Sequence, residues 1–370
     1  MKIKLSTFAP NRLKAMLVVL AATSGISSAY ANNNEEVSFA DERVEWVVPF
    51  KEGGGSDTWA RFFGPRFSQH LNGKPVVVVK NIPGGGSTKG ANRFERRGKA
   101  NGLNVFSTSA STQIPYLLGD SRVRYDVKRW NVIMATPTGA VVYVRPELGI
   151  KNASELAKLQ GQKLKFGSQR AASMDLVGLL AFDMLDLDIH AIFGMKGRGS
   201  ARLSFERGEV DIDFQTTSAY LKKVQPLVDE GKAVPLMSFG VLNKEGKIVR
   251  DPTFPDLPHV GEVYEMIHGK KPTGVEYNVW KTFFVAGFAA QKGLFLPKGT
   301  PDDVIASWRS AAQRVIDQDN FKEESELVLG QYPQLVHEDA VNTLNSALTI
   351  SETDKQWVRN YLTENYNARF

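Results

Sequence analysis

The sequence predicts an α/β protein of two domains, on three observations. Short β-branched runs alternate with helix-like stretches along the chain, which favours mostly parallel sheets flanked by helices. Two glycine runs, "EGGGSD" at 52–57 and "PGGGST" at 83–88, each stand between such a run and a helix-like one. Once an N-terminal leader is set aside, 339 residues remain, more than one compact core ordinarily holds.

The leader is read at residues 1–31. Lys2, Lys4, Arg12 and Lys14 form a positive segment, Ala15 to Ala22 a short apolar one, and Ala29-Tyr30-Ala31 a small-x-small cleavage site, so the cut is expected after Ala31. The apolar run is far below the ~20 residues a membrane span needs. Asn32 follows the cut where a lipid anchor would need cysteine. The expectation is a soluble, exported protein, with "NNNEE" at 32–36 as a frayed start. The whole chain carries +6, but four of those charges sit in the leader, and what remains is +2. That is no nucleic-acid footprint. There is no cysteine, so no disulfide framework.

The elements follow in order. "VEWVVPF" (44–50) is a buried strand, and Trp59, Phe62, Phe63, Phe67 and Leu71 then recur at helical spacing, with Pro65 an expected kink. "PVVVVKNI" (75–82) is the next strand, a helix spans about 88–99, and "LNVFSTS" (103–109) is the third strand. Residues 130–148 hold one or two extended segments. "NASELAKLQG" predicts a helix capped by Asn152, boxed by Glu155 and ended by Gly161. Strands at 163–168, 189–194, 209–215 and 233–240 alternate with helices near 172–187, 199–207 and 220–230. Residues 243–275 read as surface loop, and "VEYNVWKTFFVAG" (275–287) as extended. Thr300-Pro301-Asp302-Asp303 starts a helix, and helices end the chain. Extended segments near 138–145 and 277–286 are placed to be two hinge strands. That divides the chain into one domain of 32–143 and 278–370 and another of 144–277.

The glycine runs are candidate anion sites. Free N–H groups at a helix start attract a carboxylate or phosphate, and glycine lets the backbone approach it. Ser56-Asp57 and Ser87-Thr88 can cap the helices that follow. Two such loops after neighbouring parallel strands would lie together at the strands' carboxyl ends, where ligands sit in open α/β sheets. The simpler alternative is that the glycines only turn the chain. Neither run has the P-loop Gly-Lys-Ser/Thr or the dinucleotide G-x-G-x-x-G, so no nucleotide cofactor is expected. His70, His190, His259, His268 and His337 are scattered, and no metal site is expected. Asp211 and Asp213 share a strand face but have no partner base or nucleophile, so a structural role is expected. Trp59, Trp130, Trp280 and Trp308 are assigned to the core, with Trp280 singled out for its place on the proposed hinge.

In order along the chain, "VVPFKEGGGSDTWARFF", "NIPGGGSTKGANRF", "YDVKRWNVI", "RGEVDIDF" and "PDLPHVGE" resemble the tripartite tricarboxylate transporter receptors, the Bug-type periplasmic solute-binding proteins. The resemblance covers nearly the whole chain after the leader, with insertions near 243–252 and 286–295. It implies a type II-like two-domain periplasmic-binding-protein fold closing on one ligand in the cleft between domains. It further implies a periplasmic monomer that delivers a carboxylate to large and small integral-membrane transporter subunits and performs no chemistry. Carried over by position, the ligand-binding residues are Phe50, Gly54, Gly55, Ser56 and Asp57 in the first loop and Gly85, Gly86, Ser87 and Thr88 in the second. Ser109 and Ser111 follow the third strand, beside Thr108, and Ser168, Arg170, Ser173, Arg198 and Gln215 come from the second domain. The chain departs from the family at Arg170 (usually glycine), Asp175 (usually histidine), Arg198 (usually glycine) and Gln215 (usually acidic). Two added guanidinium groups and one lost acid favour a di- or tricarboxylate. Alternatively, the arginines face solvent or pair with Asp175 or Glu206. Two other functions stay open. A sensor of the same fold would signal through a kinase, and an aromatic carboxylate would use the same cleft. An exported enzyme would need a nucleophile–base pair or metal cluster, and the sequence shows neither.

Overall fold

Short β-branched runs make two separate sheets. The computed structural model describes residues 36–243 and 245–370, so the expected leader and its cleavage site lie outside the described residues. The first sheet takes β1 (Arg43–Val48), β2 (Val76–Asn81), β3 (Asn104–Ser107) and β4 (Asn131–Thr136). The chain then builds the second from β5 (Ala140–Val144), β6 (Leu164–Ser168), β7 (Ile189–Phe193), β8 (Ile212–Thr216) and β9 (Val234–Ser238). After a hairpin of β10 (Val241–Leu242) and β11 (Ile248–Val249), it returns to the first sheet as β12 (Lys292–Leu296) and β13 (Leu335–Val336). The strand orders are β13-β4-β12-β3-β1-β2 and β7-β6-β8-β5-β9. β1 pairs in parallel with both β2 and β3, while β12 enters antiparallel between β3 and β4. The first residues of β12 therefore lie at the carboxyl ends of β1 and β3.

Helices fill the connections: α1 (Gly55–His70), α2 (Thr88–Arg97), α3 (Ala110–Leu117), α4 (Asp175–Met184) and α5 (Arg198–Glu206). α6 (Thr217–Ala219) runs through a π turn into α7 (Gln225–Asp229). Next come α8 (Val260–His268), α9 (Val275–Phe284), α10 (Asp302–Ile316), α11 (Phe321–Leu329), α12 (His337–Ala347) and α13 (Glu352–Tyr366). No helix of the described residues is long and apolar enough to cross a membrane.

Four local expectations are corrected. Residues 275–287 are not an extended hinge strand but α9 followed by a π turn. Val279, Trp280, Phe283 and Phe284 are buried along one helical face, so packing overrides their β-prone composition. The expected loop at 243–275 contains α8. His259 caps it with Nδ1, accepting from the Gly261 N–H (3.0 Å), while Glu262 accepts from the His259 N–H (2.9 Å). This capping box has histidine where serine or threonine would have signalled it. "NASELAKLQG" forms 3₁₀ turns over Ala153–Leu159, although Asn152 does cap them through the Ser154 N–H (3.0 Å). Thr300 does not cap α10; its hydroxyl donates to the Pro297 carbonyl (2.8 Å) and Pro301 takes the cap position.

The chain changes sheet between Thr136 and Ala140 and returns after Ala289, and β5 belongs to the second sheet. α13 packs on that second lobe, with Tyr366 edge-on to Phe193 at 5.7 Å. Aromatic clusters hold each lobe. In the first, Trp46 meets Trp59 edge-to-face at 5.6 Å, and their indole N–H groups donate to Ser107 (2.5 Å) and Thr136 (3.1 Å). In the second, Trp280 is fully buried and donates to the Val177 carbonyl (3.1 Å), which makes it core rather than a ligand platform.

Candidate functional site: a cavity between the two sheets

The first glycine loop joins β1 to α1. Asp57 turns back on it: Oδ2 accepts from the Gly53 N–H (2.9 Å), and Oδ1 accepts from Arg61 (2.9 Å) and Asn81 (3.0 Å). Asn81 also donates to the Phe50 carbonyl (3.0 Å). Asp57 thus fixes the loop's shape and stands outside the cavity lining. Gly55 answers to a different demand. A Cβ there would collide with Thr216 Oγ1 at the end of β8 and lie 3.0 Å from Ser218 Oγ in α6, both in the other lobe. The missing side chain lets the lobes meet.

The second loop turns the chain. Gly84, Gly85, Gly86 and Ser87 all have positive φ (138°, 59°, 60° and 97°), a run that needs glycine at most positions. Ser87 is held by Thr112, hydroxyl to hydroxyl at 2.6 Å, and Thr88 opens α2. Gly85, Gly86, Ser87 and Thr88 do not line the cavity that the first loop lines. Arg170 lies over this second loop, with Nε 3.3 Å from where a Gly86 Cβ would stand, and its guanidinium is 3.5 Å from Asp120. Burial draws Arg170 below its ordinary range.

The cavity measures about 30 Å³, room for about one water. Phe50, Gly54, Gly55 and Ser56 line it from the first loop, with Lys51 at its exposed rim, and Ser109 lines it from the cap of α3. Gly197, Arg198, Gly199 and Ser200 at the start of α5, with Thr216 at the end of β8, face them. Gln169, Met174, Gln291 and Lys292 complete the wall and were not foreseen from the sequence. The remaining expected residues act around it. Ser111 Oγ accepts from the Met174 N–H (3.1 Å), Ser168 donates to Asp175 (2.9 Å), and Ser173 donates to the Arg170 carbonyl (2.6 Å). Gln215 donates to the Arg198 carbonyl (2.8 Å) and to Asp213 (3.0 Å). A wider groove of about 630 Å³, lined by Arg145, Glu147 and Lys232, lies elsewhere, on the second lobe, and Arg145 and Glu147 pair with each other there.

Arg198 corrects the expectation of a free guanidinium. Nη1 donates to Asp175 (3.1 Å) and the Gly167 carbonyl (2.7 Å), and Nη2 pairs with Asp213. Phe214 lies beneath it at 4.2 Å and Phe166 at 5.0 Å. Asp213 also accepts from Tyr143 (2.5 Å). Two buried carboxylates of the second lobe already pair with this cation.

Lys292 is the opposite case. It is 3% exposed, burial pulls its ammonium from 10.5 down to about 7, and no carboxylate among the described residues lies within ion-pair reach. Its sequence signal was a lysine heading the apolar run "GLFL". That signal had no weight until β12 was known to insert with its first residue at the cavity.

No family model matches the chain. A UPF0065 protein of the tcbD-tcbE intergenic region from Pseudomonas sp. (strain P51) is 22% identical over 286 residues, 75% of each chain. Among solved structures, the periplasmic binding protein BugD superposes with a TM-score of 0.64 at 19% identity, covering 88% of this chain and 98% of its own. MatC from Rhodopseudomonas palustris, solved with bound malate, gives 0.61 at 20% identity, covering 86% and 98%. The two-sheet α/β architecture of this chain is that of the periplasmic binding protein BugD.

Proposed function

We propose that the protein is a periplasmic receptor that captures a small carboxylate between its two lobes and delivers it to a tripartite secondary transporter. One observation carries the reading: the cavity is walled by the first glycine loop and the start of α1 on one side and by the start of α5 and the end of β8 on the other. Helix starts and strand ends of open α/β sheets are where anions bind. A space of about 30 Å³ admits no organic acid as it stands, so the ligand enters with the lobes parted and they close on it by hinge motion. The malate in the MatC structure supports a carboxylate ligand. With Arg198 neutralised, the cations left to the ligand are Lys292 inside and Lys51 at the rim, which suits one buried carboxylate and a second at the mouth.

A thermal-shift screen of malate, succinate, adipate and citrate, followed by calorimetry, tests this. A true ligand at a hundredfold excess over its Kd should stabilise the fold by about 2.7 kcal/mol. If no carboxylate shifts the unfolding temperature, the receptor reading is wrong.

A further inference from the structure

The sixteen-residue helix α1 begins at Gly55, and a Cβ on that residue would stand 3.6 Å from Lys292 Nζ. The positive end of a helix and a buried ammonium therefore face the same small space. Each disfavours the other unless negative charge lies between them. The acids nearby are committed: Asp175 and Asp213 to Arg198, and Asp57 to Gly53, Arg61 and Asn81. Gln169 and Gln291, two of the residues that line the cavity, each carry a buried amide oxygen, Oε1, with no donor. Their nitrogens are engaged, by Ser111 (3.3 Å) and by the Met174 sulfur (3.2 Å), so the oxygens are the ends left to receive a proton donor.

We propose that Lys292 is the counter-charge for a ligand carboxylate seated between its ammonium and the amino end of α1, and that Gln169 and Gln291 accept from a hydroxyl carried beside that carboxylate. The ligand class is then a small hydroxycarboxylate. An amine in the hydroxyl's place would set a second positive charge against Lys292. This assignment rests on the receptor reading and gives that reading its chemistry.

Malate and succinate differ by one hydroxyl, and calorimetry with both on wild type, Lys292→Met and Lys292→Gln tests the assignment. The wild type is expected to bind malate at least tenfold more tightly than succinate. Both variants should lose malate by at least a hundredfold while unfolding at or above the wild-type temperature, because they remove an unpaired buried charge. Malate bound equally by wild type and either variant would overturn the role of Lys292 and leave the receptor reading standing. Succinate bound as tightly as malate would overturn the hydroxyl contacts. A wild type that binds neither acid, nor any other carboxylate, would overturn the receptor reading and this assignment together.

Discussion

Arg198 Nη1 donates to Asp175 Oδ1 across 3.1 Å, and that contact, with Asp213 on the other amine, decides which cation in the cleft is free. Removing the guanidinium would strand two buried carboxylates. Breaking a buried pair costs about 3–5 kcal/mol. Arg198→Leu is expected to lower the unfolding free energy by at least about 3 kcal/mol, read by urea denaturation of the ligand-free protein. A variant that keeps its urea midpoint but no longer binds would return Arg198 to the ligand.

Lys292 makes stability and binding depend on pH. Its folded-state pKa, about 7, lies below the 10.5 of the unfolded chain. Between those values the unfolded chain holds more protons, so this group's contribution to stability rises with pH across the window, and below pH 7 the folded protein bears the full penalty. Subtracting the Lys292→Met curve from the wild-type curve removes the contributions of the surrounding charged groups, Lys51, Arg198, Asp175, Asp213 and Asp57. The difference should climb between about pH 7 and 10. An anionic ligand favours the ammonium, so binding near pH 8 should take up protons, and near pH 6 almost none. Calorimetry in two buffers of different ionisation heat measures this, and zero uptake at pH 8 would contradict it.

Gly55 is glycine for approach, not for turning. Its φ is outside the left-handed region, so alanine is tolerated by the backbone, but its Cβ would strike Thr216 Oγ1. Gly55→Ala is expected to hold the lobes apart, weakening carboxylate binding at least tenfold and leaving a larger radius of gyration in X-ray scattering with ligand present. Adding Thr216→Ala should restore part of the affinity. Wild-type binding by the single variant would show that closure does not pass through this contact.

Local order carried the legible part of this protein. β1, β2 and β3, with the loops after them, depend on short β-branched runs and on glycine, and both signals are contiguous in the chain. Gly54, Gly55, Ser56 and Ser109 were therefore placed at the cavity from sequence. The two glycine runs share a composition yet serve different ends, because composition does not distinguish a close approach at Gly55 from left-handed turning at Gly85 and Gly86. Arg198 showed its charge but not its partners, since Asp175 and Asp213 reach it from α4 and β8. Lys292 was out of reach for the same reason. Its burial follows from β12 inserting between β3 and β4, a pairing of residues more than a hundred positions apart.

The crossing between lobes carries its own polar lock. The Tyr332 hydroxyl, just ahead of β13 in the first lobe, donates to Asp251 and lies 2.7 Å from Thr217 Oγ1, both in the second. Gly139, in the first crossing segment, leaves room for it, since a Cβ there would strike Asp251. Burial raises the Asp251 carboxyl above its ordinary range against the lowering pull of the Tyr332 hydroxyl. A carboxyl raised in the fold gives stability that is full below its unfolded pKa and lost as pH rises through the folded value. Tyr332→Phe removes the donor, raises that value further and leaves Thr217 unpaired. The expected loss is about 1–3 kcal/mol, larger at pH 8 than at pH 5, by urea denaturation at both. Equal losses at the two pH values would mean that the hydroxyl supports Thr217 alone and does not hold the charge on Asp251.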